Sequence, residues 1–403
     1  MKKAIFPVGI SVLLFSTSVF AKDFVLTDAA TNLELASWQI TSEELGLTDT
    51  SAFSITKKTL HGGRQAGSTL ITVETKDLQV SLIPTRGMDI FAIKSGDLRY
   101  GWTSPVDEIV NPAYIALDMR NGLGWLDGFN EMMVRCGFEW TGHPGREKDR
   151  LMSLHGRAGN TPASKVVVSV DDAPPHTIHV RGLLKENTFK VSALETWTDM
   201  SVTPGVKAVK IHDELTNNSD YDRDYQIIYH SNFGAPLLEE GATVAVPVKE
   251  LSPFNDYAKK GLTDWRTYPG PTKGYDEMVF NLVPYADKDG RTVAMLRDKA
   301  ADRGIAVRFD TRQLPVLTLW KNTDTLKQGY VTGIEPGTSY AYPRQIERAQ
   351  GRVRTLAPNA TQSFDLEYQL LTTPGEIDAV EREILSIASG RPTKVIRQPI
   401  AKE

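Results

Sequence analysis

The chain has one cysteine, Cys136, among 403 residues, so it can form no intrachain disulfide and must draw its stability from a packed core. The apolar setting of that cysteine, Met132-Met133-Val134-Arg135-Cys136-Gly137-Phe138, predicts a buried thiol rather than a nucleophile. Beyond the N-terminal region no apolar run approaches the roughly 18 residues of a membrane-spanning helix. Charge of one sign is also missing. A formal net charge of -4 offers no electrostatic basis for binding nucleic acid or an anionic membrane. The basic pairs Lys57-Lys58 and Lys259-Lys260 stand alone and read as solvated surface. No linker-like Pro/Ser/Gly tract, internal repeat or long charge run divides the chain, so residues 22–403 read as one domain.

What is present suits a globular protein with a large core: 40% of residues are hydrophobic and 24% charged. Residues 1–21 follow a different logic. Lys2-Lys3 precedes a mostly apolar run from Ala4 to Phe15, then Ser16 to Ala21 with small or modest side chains. That is the pattern of a secretory signal peptide cleaved after Ala21, which predicts a periplasmic protein with no membrane attachment after cleavage.

From Lys22 onward, short alternating or β-branched runs are broken by Gly, Pro, Asn and Asp. Thr69 to Val73, Leu78 to Ile83, Lys165 to Val170, Thr177 to Leu183, Val206 to Leu215, Gln226 to Tyr229 and Val316 to Leu319 are examples. Their regular spacing predicts an all-β protein of many antiparallel strands. The clearest helix covers about 374–388, where Ile377, Val380, Ile384 and Ile387 recur on one face. Two stretches, Trp102 to Arg150 and Leu251 to Gly274, are long, irregular and rich in Gly, Pro and aromatics, as loops over a site are.

The most telling motif is Ile334-Glu335-Pro336, which sets a lone carboxylate between a β-rich run and a Pro-Gly turn. Upstream lie Leu154-His155-Gly156-Arg157 and Tyr229-His230-Ser231-Asn232-Phe233. A carboxylate, an imidazole and further polar anchors suffice for proton transfer on a sugar, with Glu335 and His230 as the catalytic acid-base pair. Glycine beside His155 admits close backbone approach, and Arg157 and Asn160 add donors for hydroxyl oxygens. Arg86, in Pro84-Thr85-Arg86-Gly87, either grips vicinal hydroxyls or pairs with a carboxylate at the sheet rim. His143 lies in a long loop and can line the site; His61, His176, His179 and His212 read as structural or solvated.

With reference values near 4.3 and 6.5, a carboxylate and an imidazolium coexist only narrowly, so the site should raise the His pKa or lower that of Glu, and activity should be bell-shaped in pH.

These four motifs, an Arg in a Pro-Thr-Arg-Gly turn, His-Gly, Tyr-His-Ser-Asn-Phe and Ile-Glu-Pro, resemble in their order the galactose mutarotase-like (aldose 1-epimerase) superfamily. More closely they resemble its aldose 1-epimerase-like DUF4432 branch. The likeness runs from about Trp38 to Leu371 and is carried also by Arg86 to Ile90, Gly101 to Pro105 and Gly333 to Gly337. It implies a β-supersandwich with the sugar in an open cleft on a concave sheet and no organic cofactor. It further implies Glu335 as general base, His230 as general acid, and His155 and Arg86 as holders of ring hydroxyls. The chain departs from the Asn-His-Leu-His-Gly-Gly and Asn-His-x-Tyr-Phe-Asn-Leu forms of galactose mutarotases. Asp276 and Glu277 are the candidates for their substrate-binding acid, and Asn232 joins the substrate-binding set.

The expected function is anomer exchange on a small sugar or short oligosaccharide by a monomer or homodimer. Two other readings stay open: a metal-dependent isomerase, epimerase or lyase using His155, His230, Glu277 and Glu335 as ligands, and a non-catalytic glycan-binding protein.

Overall fold

A computed structural model describes residues 22–401; residues 1–21, where a signal peptide is expected, lie outside the described residues. Two large, mostly antiparallel sheets of ten and thirteen strands carry the molecule, with short helices at their margins. The expected all-β supersandwich is what forms. Each predicted run lies within or overlaps a strand: Thr69–Thr75, Gln79–Ile83, Lys165–Val170, Ile178–Thr188, Ala208–Asn217, Ile228–Gly234 and Val316–Asn322.

The sheets share one apolar core, to which Ile71, Val73 and Val80 contribute from the larger sheet and Val166, Val168 and Val180 from the smaller. Period-two alternation then decides what the other face carries. On Ile228–Gly234, Tyr229 and Phe233 enter that core, while Ile228 joins a second cluster with Trp125, Cys136 and Phe254. His230 and Asn232 therefore stand on the same face as Ile228, away from the inter-sheet core. Cys136 is fully buried, and burial pushes its thiol pKa well up.

The C-terminal helix is Pro374–Ala388, started by a capping box in which Thr373 accepts from the Glu376 N–H and Glu376 accepts from the Thr373 N–H. Ile377, Val380, Ile384 and Ile387 pack on Val293, Met295 and Ala306, the outer face of the ten-stranded sheet. Burying such side chains stabilises by about 1.5–3 kcal/mol each.

Lys57 differs from expectation. It is buried, its ammonium bonded to Glu34 at 2.5 Å, to the Thr27 hydroxyl at 3.0 Å and to the Leu26 carbonyl at 3.2 Å. A cation buried this way is tolerable only because each donor is used.

Candidate active site

Four consecutive strands of the larger sheet form the floor of a cavity of about 180 Å³: Ile228–Gly234, Val331–Gly337, Val316–Asn322 and Met278–Pro284. On Val331–Gly337, Thr332 and Ile334 face the inter-sheet side, which turns Gly333 and Glu335 toward the cavity. A Cβ at Gly333 would lie 2.2 Å from Glu335 Oε1, so only glycine leaves the carboxyl room.

Register places Glu335 beside both of its partners. Ser231 pairs with Ile334 on one side, and Thr318 pairs with Glu335 on the other. His230 Nε2 lies 3.3 Å from Glu335 Oε1, both residues nearly inaccessible, yet Oε1 makes no hydrogen bond. The two groups stand side by side rather than on opposite flanks of a ligand. His230 Nδ1 lies 2.8 Å from Asn232 Oδ1. Asn232 Nδ2 donates to the carbonyls of Glu131 (3.1 Å) and His230 (3.2 Å), which leaves Oδ1 as the acceptor facing the ring. Nδ1 must therefore carry the hydrogen, and Nε2 of the neutral ring presents its lone pair to Glu335 and the cavity.

His155 arrives from a turn rather than a strand. Its φ of 57° and the 75° of Gly156 are both left-handed, and a Cβ on Gly156 would meet the Trp140 carbonyl at 2.2 Å. This strained corner sets the His155 ring at 4.8 Å from Trp125 and 5.2 Å from His230, with Nδ1 buried and unpartnered. Trp125 and Phe129 come from the irregular stretch after Trp102, and Trp320 from the strand that carries Thr318. Around His230 the rings of Phe129, Trp320 and Trp125 lie at 5.4, 5.5 and 6.2 Å.

Electrostatics follow from this enclosure. Burial, with a smaller push from Glu277, holds the Glu335 carboxyl well above the usual carboxylate range. Burial lowers His230 to about 4 against the opposing Asn232 hydrogen bond. His155 is driven well below its ordinary value by burial and then by the neighbouring His230 and His143. Both shifts of the central pair run opposite to the sequence expectation. With the carboxyl shifted up and the imidazoles shifted down, enclosure favours the uncharged pair, the proton on Glu335 and the His230 ring neutral.

The structure brings Glu335, His230, His155, His143 and Glu277 to the cavity wall. Glu277 is exposed at the mouth, where Oε2 accepts from Trp320 Nε1 at 2.7 Å. It leaves the remaining candidates outside the wall. Arg86 is fully buried, donating to the Gly128 carbonyl at 2.6 Å and lying 2.5 Å from Glu131 Oε1, so it grips protein rather than hydroxyls. Arg157 is spent on Glu139 at 3.3 Å and Thr188 at 3.2 Å, over the Trp140 ring. Asn232 stands behind His230, and Asp276 is exposed and accepts from the Glu277 N–H at 3.0 Å. The second irregular stretch, from Leu251, contributes no wall; its Phe254 only backs the His143 ring at 5.1 Å. Sequence reasoning missed Thr318, Trp125, Phe129 and Trp320. The aromatic-rich loop held a signal for Trp125 and Phe129, whereas Thr318 is identifiable only through its register with Glu335. Among the described residues no three or more His, Cys, Asp or Glu side chains converge as a metal site would require.

The two-sheet supersandwich is the galactose mutarotase-like class of fold. The chain belongs to the DUF4432 family, a domain of unknown function, whose model matches residues 65–370. It is similar to a Klebsiella pneumoniae protein described provisionally as an aldose 1-epimerase, at 56% identity and a TM-score of 0.94 over 95% of this chain and 100% of that one. A galactose mutarotase-like protein of Clostridium acetobutylicum shares the fold at 14% identity and a TM-score of 0.53, covering 79% of this chain and 98% of that one. A galactose mutarotase related enzyme of Lactobacillus acidophilus does so at 16% and 0.51, covering 75% of this chain and 98% of that one. No curated protein matches the chain.

Proposed function

We propose that the protein is an aldose 1-epimerase-type isomerase that interconverts the anomers of a free sugar. The observation that carries this reading is the Glu335–His230 contact of 3.3 Å, with Oε1 unbonded, on the floor of an aromatic-walled cavity. Anomer exchange needs one proton removed from the O1 hydroxyl and one delivered to the ring oxygen. Both oxygens are bonded to the same carbon, so the two protein groups should be neighbours. A side-by-side pair sharing one proton meets that need.

In the resting pair Glu335 holds the proton and His230 Nε2 the lone pair. His230 takes the O1 proton while Glu335 protonates the ring oxygen; the C1–O5 bond breaks, the aldehyde carbon turns, and closure reverses both transfers. The roles implied by the family resemblance, Glu335 as base and His230 as acid, are the other tautomer of the pair, one proton transfer away. Trp125 Nε1, His155 Nδ1 and Thr318 Oγ1 are buried cavity-lining atoms without partners, a set that a hydroxylated ligand would satisfy. Given the leader-like residues 1–21, we place this activity in the periplasm. Intact-mass analysis of the exported protein should then give a chain beginning at Lys22. NMR exchange spectroscopy on a panel of free sugars tests the activity: Glu335→Gln should abolish exchange while sugar still binds, and unchanged exchange would overturn the assignment.

A further inference from the structure

Resting on the anomer-exchange reading, we infer that Asn232 is a positioning residue: its amide fixes the hydrogen of His230 on Nδ1 and so keeps Nε2 free to take the O1 proton. Asn232 follows His230 by two positions on the strand Ile228–Gly234, so both side chains project from one face. Asn232 is fully buried and lies outside the cavity wall, so it serves the imidazole rather than a ligand.

The direction of the amide is set from behind. Its Nδ2 donates both hydrogens, to the carbonyls of Glu131 at 3.1 Å and His230 at 3.2 Å. The Glu131 carbonyl is anchored in turn by a second donor, Trp102 Nε1 at 3.0 Å. The Glu131 side chain is held as well: Oε1 lies 2.5 Å from the buried Arg86 guanidinium, and Oε2 accepts from the Asn130 N–H at 3.0 Å. The backbone N–H of Asn232 donates to the Met132 carbonyl at 2.6 Å, so the residue is pinned at both ends. Turned over, the amide would set Oδ1 against two carbonyl oxygens with no hydrogen between them, an arrangement that burial penalises. Oδ1 therefore faces His230 Nδ1 at 2.8 Å, and an amide oxygen only accepts.

The consequence reaches the reacting atoms. A neutral ring free to carry its hydrogen on Nε2 would point an N–H at Glu335 and could take no proton there. The lock on Nδ1 removes that form, and the proton of the pair moves between Glu335 Oε1 and Nε2, 3.3 Å apart. An amide does this without the negative charge of a carboxylate, which would draw a second proton onto the ring. Arg86 thus touches the chemistry indirectly, through Glu131 and Asn232.

The position of the hydrogen can be read without turnover, by nitrogen NMR of the protein labelled at its histidines, with the His230 signals assigned by their loss in His230→Gln. At neutral pH the wild-type ring should show a protonated Nδ1 and an Nε2 that bears a lone pair. Asn232→Leu, close in shape but unable to accept, should shift the hydrogen toward Nε2 and lower kcat for anomer exchange by about 10–100-fold, with KM nearly unchanged. Asn232→Ala gives the same reading where leucine does not fit. A wild-type ring protonated on Nε2 would overturn the inference, as would Asn232 variants with an unaltered tautomer or an unaltered kcat. Exchange spectroscopy reads the reaction separately. Wild-type exchange with Nε2 protonated removes the lock and leaves anomer exchange standing; a tautomer that depends on Asn232 in a protein that exchanges no sugar upholds the lock and removes anomer exchange.

Discussion

Of the buried polar groups in this molecule, one between the sheets and one on the other face of the larger sheet are treated in opposite ways. Between the sheets, Arg135 donates to both oxygens of Asp213 at 2.7 and 3.1 Å and to the carbonyls of Gly87 at 3.2 Å and Met88 at 2.9 Å. The Tyr229 hydroxyl adds a bond to Asp213 at 2.8 Å. This seam ties the sheets directly beneath the strand that carries His230. A residue away, on the other face, Glu335 Oε1, His155 Nδ1 and Thr318 Oγ1 are equally enclosed and have no partner. Burial without partners costs stability, so the Arg135 seam has its donors satisfied, whereas these atoms on cavity-lining residues are left free for a ligand.

The widest gap between the two groups should appear in activity. Glu335→Gln should reduce anomer exchange by about 10²–10⁴-fold, the usual contribution of a general acid-base residue, with little loss of stability in urea unfolding. Arg135→Met should act the other way round. It strands Asp213 in the core and should destabilise by about 3–5 kcal/mol by the same unfolding measurement. An Arg135→Met protein as stable as wild type would erase the contrast.

The pH dependence sharpens it further. His230 is lowered to about 4, so acidification from pH 6.5 toward 4 protonates the unfolded chain first and removes about 3 kcal/mol. Glu335 is raised, so its contribution is complete below the unfolded value near 4.5 and is lost as pH rises through its folded value. Between pH 4 and 6.5 the two oppose each other. Glu335→Gln should therefore lose stability more steeply on acidification than wild type, and His230→Gln less steeply, as read from urea midpoints at pH 4.5 and 7. Activity should fall on acidification only as pH approaches the His230 value of about 4, and fall on the alkaline side as the raised Glu335 carboxyl ionises; an acid limb setting in near the ordinary imidazole value of about 6.5 would contradict the shared-proton pair. The smallest effect belongs to Thr318→Val, which removes one unpartnered hydroxyl. It should raise KM by about 3–10-fold, leave kcat nearly unchanged and slightly raise stability.

This contrast also explains how far the sequence could be read. Glu335 and His230 were legible because alternation in a strand fixes the face of each residue, although both lie inside their strands, Val331–Gly337 and Ile228–Gly234, rather than where strands meet turns. His155 was legible from its glycine neighbour. Arg86 and Arg157 were not, because a guanidinium beside a turn looks the same whether it grips a ligand or a carboxylate ten or more positions away. Asn232 was close in sequence to its true partner, yet only the carbonyls of Glu131 and His230 reveal that its amide serves the imidazole. Thr318 depends on a pairing across 17 residues of chain, and that register cannot be read before the strands are aligned. The direction of the Glu335 and His230 shifts was missed for a related reason: enclosure is a property of the folded wall, chiefly Trp125, Phe129 and Trp320.

Arg86 lies outside the cavity wall, yet under the proposed activity it bears on the timing of turnover. Its guanidinium fastens the Gly128 carbonyl between Trp125 and Phe129, and a Cβ at Gly128 would sit 2.4 Å from it. The aromatic wall is thus tethered to the core before any sugar arrives, and an incoming ring has little loop to order. An enzyme whose product has the same size and nearly the same shape as its substrate gains from such a wall. Entry and exit can be equally fast, with no closing motion to reverse before release.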